Sequence, residues 1–500
     1  MRAEPPSSSS RAVSSSWAVS SSRARPGIYG LSASAEIPAS AGMTEGAGMT
    51  EGAGMTEGAG MTEGAGMTDE ARMTQGDGTV QVPTMLAAGR RAYDRCDELA
   101  ALTAVKGSIH RFHLTSQHAW ANALVGRWMT AAGLRTRIDA AGNLVGRMEG
   151  REPGLPAVML GSHIDTVPDA GRYDGPLGVV LGIEVAELLR DQMPSMPHAL
   201  EVVAFSDEEG TRFPQTMLGS KPVAGEWQDE WLDQTDQTGT SLRQAFKDFG
   251  LDPAKARTAA RRPDELVAYL EAHIEQGPLL EAQARPLGVV TSIAGARRLA
   301  LTITGEARHA GGTPYDRRRD ALVGASFAVL AIESIARRRD IIGTVGAIEA
   351  YPGAVNVVPG RVEFSLDLRA ETDAARDAGW DEIRDTIGRV CAERKLNFHW
   401  TEEHRAHAVV CADWLMEAVA DAVVVTEGSA EPVPRLYSRA GHDAMVMADV
   451  TEVGMLFIRC EDGISHAPAE AVTVWDVALA VEAFATATRT VLSTDRSRHA

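Results

Sequence analysis

Two short apolar runs, each closing on reactive side chains, constrain this chain more than any other feature. Ala157-Val-Met-Leu-Gly161 leads into Ser162-His163, and Leu200-Glu-Val-Val-Ala-Phe205 leads into Ser206-Asp207-Glu208-Glu209. Both are short, bounded and apolar, as buried strands are, and helical spacing from Leu177 to Arg190 lies between them. The order predicts a strand–helix–strand unit. A third strand-like run, Val267 to Ile274, contains His273. In open α/β sheets ligands gather beyond the carboxyl ends of strands, and three predicted strand ends here carry histidine or paired carboxylates.

The surrounding sequence extends this pattern. Helical spacing marks Met85 to Leu102 and Ser116 to Ala132. From about Ile293 the pattern changes. Leu299 to Thr304 alternates with period two, Arg319 to Arg337 reads as an amphipathic helix, and Gly343 to Ala350 and Arg361 to Arg369 read as strands. A helix from Asp373 to Arg394 and a strand near Asn397 to Thr401 complete a β-α-β-β-α-β order, the ferredoxin-like arrangement. The helix-and-strand pattern of the first part resumes near Cys411. The expected architecture is an α/β catalytic domain in two parts, residues 85–292 and 406–500, interrupted by an inserted α+β domain at 293–405. Residues 1–84 are different: Ser7 to Ser22 is nearly all serine, and a repeated Ala-Gly-Met-Thr-Glu-Gly sets Met43, Met49, Met55, Met61 and Met67 at equal spacing. So little apolar area cannot offset chain entropy, so this segment is expected to be a disordered tail. It also resembles translated repetitive DNA, which makes Met85 a candidate start.

Composition excludes several classes. Lys plus Arg number 49 against 68 Asp plus Glu, a net charge of −19, which argues against nucleic acid as a partner. No run of about 18 apolar residues is present, so no membrane-spanning helix is expected. The four cysteines, Cys96, Cys391, Cys411 and Cys460, are far apart, as suits reduced thiols in a cytoplasmic protein rather than a disulfide framework. The serine-hydrolase elbow and the phosphate-binding P-loop motif are both missing from the sequence.

The candidate chemistry lies in His163-Ile-Asp165, Asp174, Glu208-Glu209, His273 and His466. Imidazole and carboxylate without thiolate suit Zn2+, Mn2+ or Co2+ in a hydrolytic site. His163 and Asp165 share a face if the strand continues, and a ligand imidazole commonly gives its other N–H to such a carboxylate. Adjacent Glu208 and Glu209 suggest a division of labour between metal ligand and general base. Taken singly, a histidine or acidic doublet of this kind is more often an ordinary solvated or satisfied polar group.

Longer motifs add a resemblance. Gly161-Ser-His-Ile-Asp-Thr-Val167 with Tyr173-Asp-Gly175 resembles the dimetal aminoacylase/carboxypeptidase superfamily. Ser206-Asp-Glu-Glu-Gly-Thr-Arg-Phe213, His273-Ile-Glu-Gln-Gly277, Val355-Asn-Val-Val-Pro359, Gly441-His-Asp-Ala444 and Gly463-Ile-Ser-His466 are similar to its branch of allantoate amidohydrolases and N-carbamoyl-L-amino-acid hydrolases. The resemblance spans about residues 86–492. It implies two divalent metal ions per subunit on His163, Asp174, Glu209, His273 and His466, with Asp174 bridging. It also implies Glu208 as the general base toward water and Asp165 as the group orienting His163. The inserted domain would be a lid and the seat of a homodimer. His309 would stabilise the oxyanion from across the dimer, and Gln276, Asn356 and Arg369 would bind the substrate carboxylate.

The implied reaction is hydrolysis of a terminal ureido or carbamoyl C–N bond in a small carboxylate substrate. Allantoate, giving ureidoglycine, carbon dioxide and ammonia, is the first expectation. N-carbamoyl-L-amino acids are the alternative, and a wider acylase or peptidase, or a non-catalytic binding protein on the same fold, lies beyond them. Three departures from the family pattern bear on the pocket: Arg439 where the family commonly has glycine, and Gly312 and Tyr315 after the lid histidine.

Overall fold

The computed structural model describes residues 82–494. The serine-rich stretch and the six-residue repeat lie outside the described residues. The first helix, Val82–Ala100, begins three residues inside the segment assigned to the tail, and Met85 is already buried in the core.

Nine strands form the larger sheet. Its path runs Arg135–Ile138, Leu144–Met148, Ala199–Phe205, Ala157–His163, Leu266–Ile274, Val453–Ile458, Leu287–Ile293 and Val409–Val410, with Arg435–Ser438 also pairing Leu287–Ile293. The four central strands, from Ala199–Phe205 to Val453–Ile458, are mutually parallel. Every residue of these four is buried, which explains why they are mostly apolar, with Glu201 and Glu271 the buried acids among them. The chain passes from Ala157–His163 to its neighbour on one side and then crosses to Leu266–Ile274 on the other. The crevice between the ends of Ala157–His163 and Leu266–Ile274 is therefore a topological switch point, where such folds bind ligands.

The Pro176–Leu189 helix is apolar all round because it is sandwiched, with twelve of its fourteen residues buried. It packs on the central strands on one side and on the Val82–Ala100 and Val474–Ser493 helices on the other. Of its two acidic residues, Glu187 is partly exposed, while Glu184 is fully buried and paired with Arg91 at 2.6 Å and Arg95 at 2.7 Å.

The smaller sheet is antiparallel, ordered Ile348–Tyr351, Arg361–Ala370, Gly295–Thr304, Asn397–Ala406, with Ile342–Thr344 also on Arg361–Ala370. The long helices Ala321–Arg339 and Asp373–Glu393 close a separate core around Leu301, Phe364, Leu368 and Trp380. Two expectations are corrected here. The single strand expected at Gly343 to Ala350 is split in two, because the Ser365 hydroxyl takes the Gly346 and Ala347 N–H groups and interrupts the ladder. The last strand runs on to Ala406, past a register shift between Glu402 and His404 that breaks the alternation a sequence pattern relies on.

Gly178 sets how closely the sandwiched helix sits on the sheet. A Cβ there would lie 2.2 Å from the Ala272 carbonyl oxygen and 2.8 Å from Ser162 Cβ. Gly178→Ala should therefore lower stability by about 1–3 kcal/mol, measured as a shift of the urea midpoint; an unchanged midpoint would show that the helix moves freely.

Candidate active site

The carboxyl ends of the four parallel strands bring the predicted residues together. His163 ends one strand and His273 sits near the end of the next, their rings 5.8 Å apart. Glu208 and Glu209 follow Phe205, and His466 comes from the loops beyond Ile458. Asp174 lies among them on the turn before the sandwiched helix. Its Oδ1 is 3.2 Å from His273 Nε2 and 3.7 Å from His163 Nε2, while its Oδ2 is 3.0 Å from His466 Nε2. His466 Nε2 is also 3.4 Å from Glu209. Two ligand groups thus share one carboxylate: His163, Asp174 and His273, and Asp174, Glu209 and His466.

The imidazoles are set up to present lone pairs. His163 Nδ1 faces the Asp165 carbonyl at 3.1 Å and His273 Nδ1 faces the Ile274 carbonyl at 2.9 Å, so each Nδ1 carries the proton. His273 Nε2 is buried and makes no hydrogen bond, although the Asp174 carboxylate is beside it. A lone pair facing an anion needs a cation between them, and an all-nitrogen-and-oxygen donor set suits Zn2+ or Mn2+. The residues present therefore fit two divalent ions.

Electrostatics agree. Burial works against charge on Asp174, but His163, His273 and His466 outweigh it and hold its carboxyl well below the usual range. Glu208 goes the other way: desolvation first, then the charges of Asp443, Asp165 and Asp174, push it well above the usual range, against the pull of His163. Glu209 is pushed up to about 9 by desolvation, then by Glu208 and Asp174. The acids exceed the protein's own cations here, and bound divalent ions would reverse that imbalance.

Asp165 does more than orient His163. Its carboxylate lies 3.4 Å from His163 Nδ1 and accepts the backbone N–H groups of Glu208 at 3.0 Å and Glu209 at 3.2 Å. One side chain thereby fixes a ligand and both acids. Sequence reasoning assigned no role to three supporting residues. Glu470 Oε1 accepts the N–H of Tyr173 at 2.7 Å and of Asp174 at 3.2 Å, and its Oε2 accepts from the Ser465 hydroxyl. The buried Asn143 accepts the Ser206 N–H and donates to the Gly219 carbonyl, pinning the loop that carries the acids. Ser465 stood inside the Gly463-Ile-Ser-His466 motif and Glu470 just beyond it; Asn143 carries no signal in sequence.

The other candidates are spread out. Arg369 lines the cleft with the candidate metal ligands, its guanidinium held by Asp367 at 2.8 and 3.2 Å and its Nη1 donating to the Arg439 carbonyl at 3.0 Å. Gln276 points its amide at Asp174 Oδ2, at 3.0 Å. His309 and Asn356 are exposed and do not line this chain's cleft. They sit together on a short two-stranded ladder, where the Ala310 N–H bonds the Asn356 carbonyl, so Asn356 accompanies His309 rather than Arg369. The His309 Nδ1 accepts from the Gly312 N–H at 2.9 Å, which leaves Nε2 as a donor. The Arg439 side chain lies over Tyr437, 5.4 Å from its ring centre, and does not line the cleft, so that departure adds no charge to the pocket. Three cleft residues, Met217, Gln276 and His466, hold left-handed backbone, strain of the kind that clusters at functional sites.

Residues 159–490 match Peptidase family M20/M25/M40. The chain belongs to this family. It is 40% identical over 396 residues to the N-carbamoyl-L-amino acid amidohydrolase of Geobacillus stearothermophilus, covering 79% of this chain and 96% of that one. It is 36% identical over 425 residues to allantoate deiminase 1 of Glycine max, covering 79% and 88%. A crystal structure of an amidase of the hydantoinase/carbamoylase family from Burkholderia multivorans superposes with a TM-score of 0.74 at 33% identity, covering 81% and 98%. No helix among the described residues is long and apolar enough to cross a membrane.

Gly175 (φ +81°) lets His163 reach Asp174, since a Cβ there would fall 2.4–2.5 Å from the imidazole ring atoms. Gly175→Ala is expected to weaken divalent-metal affinity by roughly 10–100-fold, read as metal per chain after dialysis against a graded chelator; full retention would mean that His163 is not a ligand.

Proposed function

We propose that this protein is a dimetal amidohydrolase that cleaves the terminal ureido or carbamoyl C–N bond of a small carboxylate substrate. The observation that carries the reading is one cleft in which the shared-carboxylate ligand cluster, Glu208 and the Arg369 guanidinium face one another. His163, Asp174 and His273 would hold one ion, and Asp174, Glu209 and His466 the other; Zn2+ and Mn2+ both suit these ligands. Bound there, the ions would polarise the scissile carbonyl and bring the pKa of water to about 7.

The chain's own residues do the rest. Glu208 takes the proton from the attacking water and passes it to the departing nitrogen as the C–N bond breaks. Arg369, braced by Asp367, clamps the substrate carboxylate through its remaining edge, which requires release of the Arg439 carbonyl. Gln276 steadies Asp174 and the bound substrate. The products are an amine and carbamate, which releases carbon dioxide and ammonia.

Allantoate is the first candidate substrate. Gln215, Lys221, Glu226 and Arg298 line the cleft and offer hydrogen bonds to its second ureido arm. N-carbamoyl-L-amino acids are the second reading, supported by Met217 and Met445 on the same cleft, which suit an apolar side chain. The segment 293–405 serves as lid and dimer contact, and the exposed His309 with Asn356 completes the partner subunit's site. The four cysteines are free and buried, in keeping with a cytoplasmic enzyme.

Glu208→Gln should abolish ammonia release from allantoate and N-carbamoyl-L-amino acids, by roughly 10²–10⁴-fold or more, while metal content stays at the wild-type level. Substantial residual turnover, or metal loss equal to that of His163→Ala, would overturn the assignment. Mixing His309→Ala and Glu208→Gln subunits tests the shared site. Heterodimers contain one intact site, so random re-pairing should restore roughly a quarter of wild-type activity. Heterodimers confirmed by mass but still inactive would place His309 outside catalysis.

A further inference from the structure

The smaller sheet presents its helix-free face to the cleft in two neighbouring rows. In the first, Arg369 pairs with Ala296, which pairs with Ala406; in the second, Asp367 pairs with Arg298, which pairs with His404. Except for Asp367, all of these line the cleft. Rows two residues apart along a strand are separated by about 7 Å. The two alanines leave space beside Arg369, and the next row out replaces them with two hydrogen-bonding side chains.

His404 reaches this face only because of the register shift. Before it, Phe398 and Trp400 point into the lid core, so an unbroken alternation would send His404 there too. The extra residue at the bulge exchanges the faces: Arg405 joins Glu402 and Asp377 on the helix side, and His404 comes to stand beside Arg298. Bulges that re-aim a side chain are common next to active sites. Arg298 is engaged through Nε alone among the described residues, at 3.3 Å from Asp367, and more than half of its side chain is exposed. Lys221 lines the same cleft from the larger-sheet side.

We propose that Arg298 and His404 form a second recognition subsite, one strand row beyond Arg369, for an oxygen-acceptor arm of the substrate. It rests on the reading of Arg369 as the clamp for the first carboxylate. The arm is a carbonyl or a carboxylate, since Arg298 offers two further nitrogens as donors and His404 one. This subsite selects substrates with a polar distal arm over those with a short apolar one.

The test compares wild type with Arg298→Met, Arg298→Lys and His404→Leu on three substrates: allantoate with a ureido arm, N-carbamoyl-L-glutamate with a carboxylate arm, and N-carbamoyl-L-alanine with neither. KM for the armed substrate that the wild type prefers should rise roughly tenfold in Arg298→Met and His404→Leu, with partial recovery in Arg298→Lys. KM for N-carbamoyl-L-alanine should stay within about twofold, and kcat should hold throughout. Which armed substrate responds tells carbonyl from carboxylate recognition. An equal rise on all three substrates would mean that the variants act through Asp367 and Arg369, and an unchanged KM on all three would remove the subsite altogether. Binding of adipate against hexanoate, measured by calorimetry on the metal-loaded protein, separates this inference from the catalytic reading. The dicarboxylate should bind roughly tenfold more tightly to wild type but not to Arg298→Met. If wild type cleaves none of the three substrates the catalytic reading fails, while the adipate preference still decides the subsite; equal binding of the two acids overturns it.

Discussion

The contact on which the rest depends is the Asp174 carboxylate set among three imidazoles. Its oxygens face opposite ways, Oδ1 toward His163 and His273, Oδ2 toward His466, so one buried charge organises both halves of the ligand cluster. A buried carboxylate survives only with charged or hydrogen-bonding partners on every side. The chain supplies them in depth. Glu470 holds the Tyr173 and Asp174 backbone, Ser465 and Gln276 reach Oδ2, and Gly175 keeps the turn close enough for His163 to approach.

Around that contact the two sheets take different parts. The larger one has its parallel strands buried on both faces, and it supplies the groups whose spacing matters most: the candidate ligands and Glu208. The smaller one has its own core and lines the cleft with Arg298, His404 and Arg369, and the Arg369 guanidinium already bonds the Arg439 carbonyl. That bond ties the strand carrying Arg369 to the loop after Arg435–Ser438. It uses the same guanidinium edge that a carboxylate would take, so substrate binding and loosening of this tie are coupled through one group.

The fold and the grouping of candidate ligands at the strand ends were largely legible in the sequence. Ala157–His163, Ala199–Phe205 and Leu266–Ile274 read as strands because burial on both faces makes them mostly apolar, and their polar ends named His163, Glu208, Glu209 and His273. The smaller sheet was harder to read. A side-chain hydroxyl at Ser365 and a bulge after Glu402 each alter the ladder without changing local hydrophobicity, so the alternation pattern misplaced the strand ends. Asn143 escaped for another reason: a polar residue in a short connection looks solvated until the Ser206 loop folds onto it.

The sequence by itself determined which groups can do chemistry and at which strand ends they stand, because periodicity and residue type are local properties of the chain. Only the tertiary structure decided which of them share a site. It joined Asp174 to histidines from three distant segments and put Asn356 beside His309 instead of Arg369. It also turned the Arg439 side chain away from the cleft and brought His404 into it. Those outcomes depend on strand order, register and one extra residue in a ladder. Long-range pairing sets all three, and no local window of sequence contains it.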